Sequence, residues 1–143
     1  MTGREPAAPV RVLIADDEPG ILRSLASALS RAGFDVTTAD DGAPAIALAD
    51  SATFELVVVD LNMRTSGIAV VRHYKRCYGA GVYCAVLSGE DDEVTRAASL
   101  EAGADEVFVK PVPASLLRRR LAEAAAGLSA RPLAHPIAQA GHA

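Results

Sequence analysis

Short apolar runs rich in valine alternate along the chain with longer stretches of helical period, and five such pairs can be counted. Val10 to Ala15 reads as the first strand. The helix after it starts near Pro19, where the missing proline N–H is one that the first helical turn leaves unpaired in any case. Ile21, Leu22, Leu25, Ala28 and Leu29 then recur at three- and four-residue spacing and predict one buried stripe. Gly33 is expected to cap that helix, and Asp35 to Thr38 to form a second strand. Asp41-Gly42 turns the chain into a second helix over Ala43 to Ala49. The third strand, Glu55 to Val59, is almost wholly apolar, as a central parallel strand covered on both faces should be.

The third helix is expected from Gly67 to Arg76, ended by Gly79 and Gly81, with a fourth strand over Val82 to Leu87. Asp91-Asp92-Glu93 places acids where the positive end of a helix dipole favours them and opens a fourth helix reaching Ala102. Glu106 to Val109 and Ala114 to Ala126 complete the series. Repeated strand–helix units of this kind predict an α/β domain, a parallel sheet with helices on both faces. The domain is expected over residues 10–128, between a flexible N-terminus, 1–9, and a flexible tail or linker, 129–143, which holds Pro132 and Pro136 and no apolar period.

Composition narrows the possibilities. At 143 residues, half of them hydrophobic, the chain is the size of one ordinary domain with a real core. A net charge of -4 argues against binding nucleic acid by phosphate neutralisation, and Arg118-Arg119-Arg120 is too short a run to reverse that. Cys77 and Cys84 have no metal-type spacing and read as free thiols in a reducing compartment. His73, His135 and His142 show no ligand spacing. No apolar run is long enough to span a bilayer and the first residues lack a signal-peptide core, so a cytoplasmic location and no membrane partner are expected.

The chemistry lies at the strand ends. Strand one closes in Asp16 and Asp17, strand three in Asp60, strand four in Ser88 and strand five in Lys110. In open parallel sheets ligands bind beyond the carboxyl ends of the strands, where the strand order reverses. If strands one and three are neighbours there, three carboxylates crowd one crevice, and each like-charge pair costs about 4 kcal/mol at about 4 Å and an effective dielectric near 20. A hard divalent cation with oxygen ligands would offset that repulsion, and magnesium typically keeps waters for a phosphate-bearing ligand. Two strands ending alike, with a lysine to match, weigh against three unrelated surface acids. The same crowding argues against a flavin binder on this architecture, because Asp16-Asp17-Glu18 would repel an unassisted phosphate.

From about Val10 to Leu128 the chain resembles the receiver domain of bacterial two-component response regulators. The resemblance joins Asp16-Asp17-Glu18-Pro19, Asp60 with Met63 and Gly67, Ser88-Gly89, Gly103-Ala104-Asp105 and Lys110-Pro111. It implies a doubly wound, flavodoxin-like (βα)5 fold with strand order 2-1-3-4-5. It implies that Asp60 accepts a phosphoryl group from a sensor histidine kinase or a histidine phosphotransfer protein. Mg2+, for which Mn2+ can substitute, would be held by Asp17 and Asp60, by Asp16 through water, and by the main-chain carbonyl of Asn62. Lys110 would neutralise charge on the transferring oxygens and Ser88 would hydrogen-bond them. Asn62 and Glu90 occupy positions that modulate hydrolysis.

Two positions depart from the family pattern. Val107 stands where most receivers carry a tyrosine or phenylalanine that reports phosphorylation. Phe108 is one place off and, in a strand, should face the opposite side as core. Arg64 stands where a proline commonly follows the methionine.

The resemblance implies a domain that catalyses its own aspartyl phosphorylation and dephosphorylation, rather than an ordinary enzyme. Its output would be a downstream protein bound at the face formed by the fourth helix, fifth strand and fifth helix. A phosphorelay intermediate or phosphate sink, which needs no strong output switch, and an unphosphorylated scaffold are the alternatives. With no DNA-binding or catalytic pattern after Leu128, the chain is expected to be a stand-alone receiver or one clipped from a longer protein.

Overall fold

A computed structural model describes residues 8–129. In chain order these form β1 (Arg11–Ala15), α1 (Pro19–Arg31), β2 (Asp35–Ala39), α2 (Gly42–Ala47), β3 (Leu56–Asp60), α3 (Gly67–Tyr78), β4 (Tyr83–Ser88), α4 (Glu93–Ala102), β5 (Glu106–Val109) and α5 (Ala114–Ser129). The five strands make one parallel sheet in the order β2-β1-β3-β4-β5, so β1 and β3 are neighbours at the point where the order reverses. The expected N-terminal extension and tail fall, but for residues 8, 9 and 129, outside the described residues.

Every residue of β3 is buried because helices cover both of its faces. Its side chains alternate between two cores. Val57 and Val59 join a cluster with Ala45 of α2, Val70, Val71 and Tyr74 of α3 and Ala102 of α4. Leu56 and Val58 join Leu25 and Leu29 of α1 and Leu117 and Leu121 of α5 on the other side. Tyr74 and Tyr78 bury their rings in the first core, and their hydroxyls donate to Ala45 O at 2.7 Å and Ala49 O at 3.0 Å, which ties α3 to α2. Pro19 opens α1 as expected. Asp92 caps α4, accepting the Thr95 N–H at 2.7 Å, which absorbs one member of the acidic run in a structural role.

The boundaries differ from the sequence reading in one way that matters for the site. Expected to end at Val59 and Leu87, strands β3 and β4 each run one residue further, so Asp60 and Ser88 are the last residues of their ladders rather than the first of a loop. Asp60 is in register with Leu87, Ser88 with Val109, and Leu61 N–H donates to Leu87 O at 3.0 Å. Backbone pairing with a central neighbour carries these polar residues into the sheet, which the apolar pattern alone does not reveal. Elsewhere α2 is shorter than expected, because its last turn tightens into a 3-10 turn over Leu48–Asp50, while α3 and α5 run a few residues longer.

Candidate functional site

The C-terminal edge of the sheet gathers four of the charged side chains. Asp16 follows β1 and is fully buried; Asp60 ends β3 and is 3 % exposed. Asp17 is exposed at the rim. Each of these three offers a carboxylate oxygen within 4.8 Å of the others. From the end of β5, Lys110 reaches over them: its Nζ lies 3.2 Å from Asp60 Oδ1 and 3.3 Å from Asp16 Oδ2. A third contact, 3.4 Å to Glu18 Oε1, brings in a residue to which sequence reasoning gave no role of its own, although it completes the acidic run after β1.

Burial pushes the Asp60 carboxyl above its usual range; the hydrogen bond and charge of Lys110 pull it back, and the neighbouring Asp16 charge raises it again. For Lys110 burial works in the opposite sense, favouring the neutral amine, but Asp60 and Asp16 together outweigh it and leave the ammonium strengthened. Among the described residues one cation, Lys110, therefore faces an excess of acidic oxygens. Oxygens of this kind and spacing suit a small hard cation, whose oxygen ligands sit about 2.0–2.6 Å from the metal for magnesium or calcium. Asp16 is the least free of the three, since its Oδ1 accepts the Glu18 N–H at 2.9 Å while Oδ2 faces Lys110.

Ser88 is buried at the end of β4. Its hydroxyl accepts the Glu90 N–H and donates to Glu90 O, both at 3.0 Å. Lys110 N–H donates to Ser88 O at 2.7 Å, which joins the two strand ends directly. Asn62, Ser88 and Glu90 line one cleft between the loops after β3 and β4. Arg64 is exposed on the first of these loops and makes no ion pair among the described residues. Val107 is buried with Val86, Ala102 and Ala104, whereas Phe108 packs with Leu117 and Leu121 beneath α5. The two side chains thus face opposite sides of β5, and Phe108 is core. Cys77 and Cys84 are free buried thiols, Cys84 pushed up to about 12 by burial, which leaves it without thiolate character.

The response regulator receiver domain family matches residues 12–122, which take in all five strands but for Arg11 and every strand-end residue just described. The chain belongs to that family. Receivers of two-component systems take phosphate from histidine kinases, and the family generally binds Mg2+. Among relatives, the transcriptional regulatory protein PrrA of Mycobacterium leprae is 41 % identical over 111 residues, which are 76 % of this chain and 47 % of that protein. The chain spans about half the length of the curated relatives it matches. A CheY-like receiver structure from Methanospirillum hungatei, 24 % identical, has the same fold, with a TM-score of 0.81 over 85 % of this chain and 98 % of that one. A response regulator structure from Burkholderia pseudomallei, described with a phosphorylated aspartic acid, calcium ion and citrate, is 27 % identical with a TM-score of 0.70, over 76 % of this chain and 64 % of that one. No helix among the described residues is long and apolar enough to cross a membrane.

Proposed function

We propose that this receiver is a phosphorylation-controlled signalling switch whose acceptor is Asp60. The observation that carries the reading is a buried carboxylate at the end of the central strand, 3.2 Å from a lysine ammonium and within reach of two further carboxylates. An Asp60 oxygen forms a bond to phosphorus as the P–N bond of a phosphohistidine breaks, and the imidazole leaves on its kinase or phosphotransfer protein. Lys110 stays an ammonium and offers charge to the transferred oxygens without first having to be moved into place. Ser88 already donates to Glu90 O, so a bond to a phosphoryl oxygen exchanges one acceptor for another and pulls on the loop after β4. Asn62 and Glu90, at the mouth of the same cleft, are placed to orient or obstruct a hydrolytic water.

Asp17 and Asp60 with the Asn62 carbonyl would hold Mg2+ or Mn2+, and the engaged oxygens of Asp16 suit contact through water. When bound, the metal supplies the positive charge that three carboxylates and an incoming phosphoryl group require. The relative with a phosphorylated aspartic acid and a calcium ion supports both assignments. Asp17→Asn is expected to raise the magnesium concentration for half-maximal phosphoryl uptake about tenfold; an unchanged magnesium titration would contradict the ligation.

Output is assigned to the face of α4, β5 and α5. Its support is two of the three exposed large hydrophobic side chains among the described residues, Leu100 of α4 and Val109 of β5, the third, Val94 of α4, lining the cleft beside Asn62. Ser88→Ala should still take up phosphate but show a smaller change in amide exchange over α4 than the parent, a comparison that an undiminished change decides against. Val107 favours a second reading. With no ring to rotate beside α4, the domain suits a carrier that hands its phosphate to a histidine phosphotransfer protein, and rapid return to such a partner is its signature.

The test is intact mass after incubation with acetyl phosphate, with and without magnesium. Gain of one phosphoryl group dependent on magnesium supports the receiver chemistry, and no gain by folded protein with active donor leaves the scaffold reading.

A further inference from the structure

The loop from Leu61 to Ser66 carries Asn62 past the acceptor, and two hydrogen bonds reach it from other elements. At its start Leu61 N–H donates to Leu87 O of β4. At its far end Thr65 N–H donates to Asp41 Oδ1 at 2.9 Å, across 24 residues of sequence. Asp41 precedes α2 and also caps it, its Oδ2 accepting the Ala43 N–H at a longer 3.5 Å. The residue after it presses on the same point, since a Cβ on Gly42 would lie 2.4 Å from Thr65 O. Asp41-Gly42 is therefore more than the turn that its sequence suggests. Its carboxylate holds one side of Thr65, while the missing side chain of Gly42 lets the other side approach.

We propose that Asp41 is a positioning residue for the loop after Asp60, holding Asn62 in place for metal binding and for control of the acyl phosphate, from outside the site and without touching the reacting atoms. This role rests on the receiver chemistry of Asp60. The Asp41 carboxyl is held below its usual range chiefly by the Thr65 N–H, as expected of a side-chain oxygen that accepts a backbone bond. The capping bond is the longer of the two, which makes the loop contact the better formed one.

Two variants separate holding the loop from capping the helix. Serine is as good a cap as aspartate but has one oxygen on a shorter arm, so D41S keeps α2 capped and releases Thr65. Asparagine keeps an acceptor of the same reach, so D41N retains the bond to Thr65. In D41S, amide exchange over residues 61–66 should quicken about tenfold, and the magnesium needed for half-maximal phosphoryl uptake should rise about fivefold, with a changed acyl-phosphate lifetime. D41N should stay within about twofold of the parent in each. A phosphorylatable parent with a D41S variant indifferent in exchange, or in both magnesium dependence and lifetime, would overturn the Asp41 role alone. A parent that takes up no phosphoryl group would overturn the receiver chemistry and this role with it.

Discussion

Asp60→Asn is expected to abolish phosphoryl uptake, by more than about a hundredfold in initial rate, while leaving the domain folded. An amide is close to a carboxylate in shape, so the end of β3 keeps its backbone pairing to Leu87 and Leu61 keeps its bond to Leu87 O. What it lacks is the nucleophilic oxygen. Intact mass and an adduct removed by alkali or hydroxylamine check this, and full labelling of the variant would remove Asp60 from the acceptor role in favour of exposed Asp17. The same substitution should stabilise the fold without metal. Burial, opposed by Lys110 and reinforced by Asp16, leaves the folded Asp60 carboxyl above its unfolded value. The unfolded chain therefore ionises first, and this group's ionisation costs stability as pH rises from the unfolded value through the folded one, then levels off. Asparagine carries no such cost. The gain from D60N should be full at neutral pH and vanish as pH falls below about 4, where both states are protonated. Parallel melting of the two proteins at every pH would contradict the crowding argument.

Most of this was legible in the sequence because parallel strands buried on both faces are spelled out as unbroken apolar runs, and a charge at the end of such a run has few structural explanations. Val12-Leu13-Ile14-Ala15 before Asp16, and Leu56 to Val59 before Asp60, are cases of this. The adjacency of β1 and β3, on which the crowding of Asp16, Asp17 and Asp60 depends, came from the family resemblance, since nothing in strand composition orders a sheet. The opposite facing of Val107 and Phe108 followed from strand period alone, and the two cores bear it out. Three features stayed hidden. Glu18 enters the Lys110 contacts because the chain turns at Asp16 Oδ1, a local bond that apolar periodicity does not encode. Asp41 bonds Thr65 across the top of the sheet, a pairing between two loops with no pattern of their own. Gly67 was legible as a helix start and as part of the family pattern, but only the closeness of the chain on itself shows why it carries no side chain.

Gly67→Ala should destabilise the domain by about 3 kcal/mol, lowering Tm by roughly 10 °C. A Cβ there would sit 2.4 Å from Asp60 O and 3.1 Å from the Asp60 carbonyl carbon and Leu61 Cα. All three are backbone atoms, two of the last residue of β3 and one of the residue after it, so no rotamer change relieves the contact. Either α3 shifts away from the sheet or the Asp60–Leu61 peptide moves, and that peptide is held by the bond of Leu61 N–H to Leu87 O, while the next peptide is held by Gly67 N–H to Leu61 O. Alanine's better helix propensity works the other way, by up to about 1 kcal/mol, and is too small to reverse the sign. Gly20→Ala isolates that contribution. Gly20 lies in the first turn of α1 with nothing within 4 Å of an added Cβ, so the same substitution should be neutral or stabilising by about 0.5 kcal/mol. Denaturant melts of the pair decide the matter, and two variants of equal stability would mean that α3 can retreat at no cost. Because two of the three colliding atoms belong to Asp60, residual folded G67A should also be slower in phosphoryl uptake than its folded fraction explains: on the proposed chemistry, the glycine that lets α3 close on β3 bears on where the Asp60 carboxylate points.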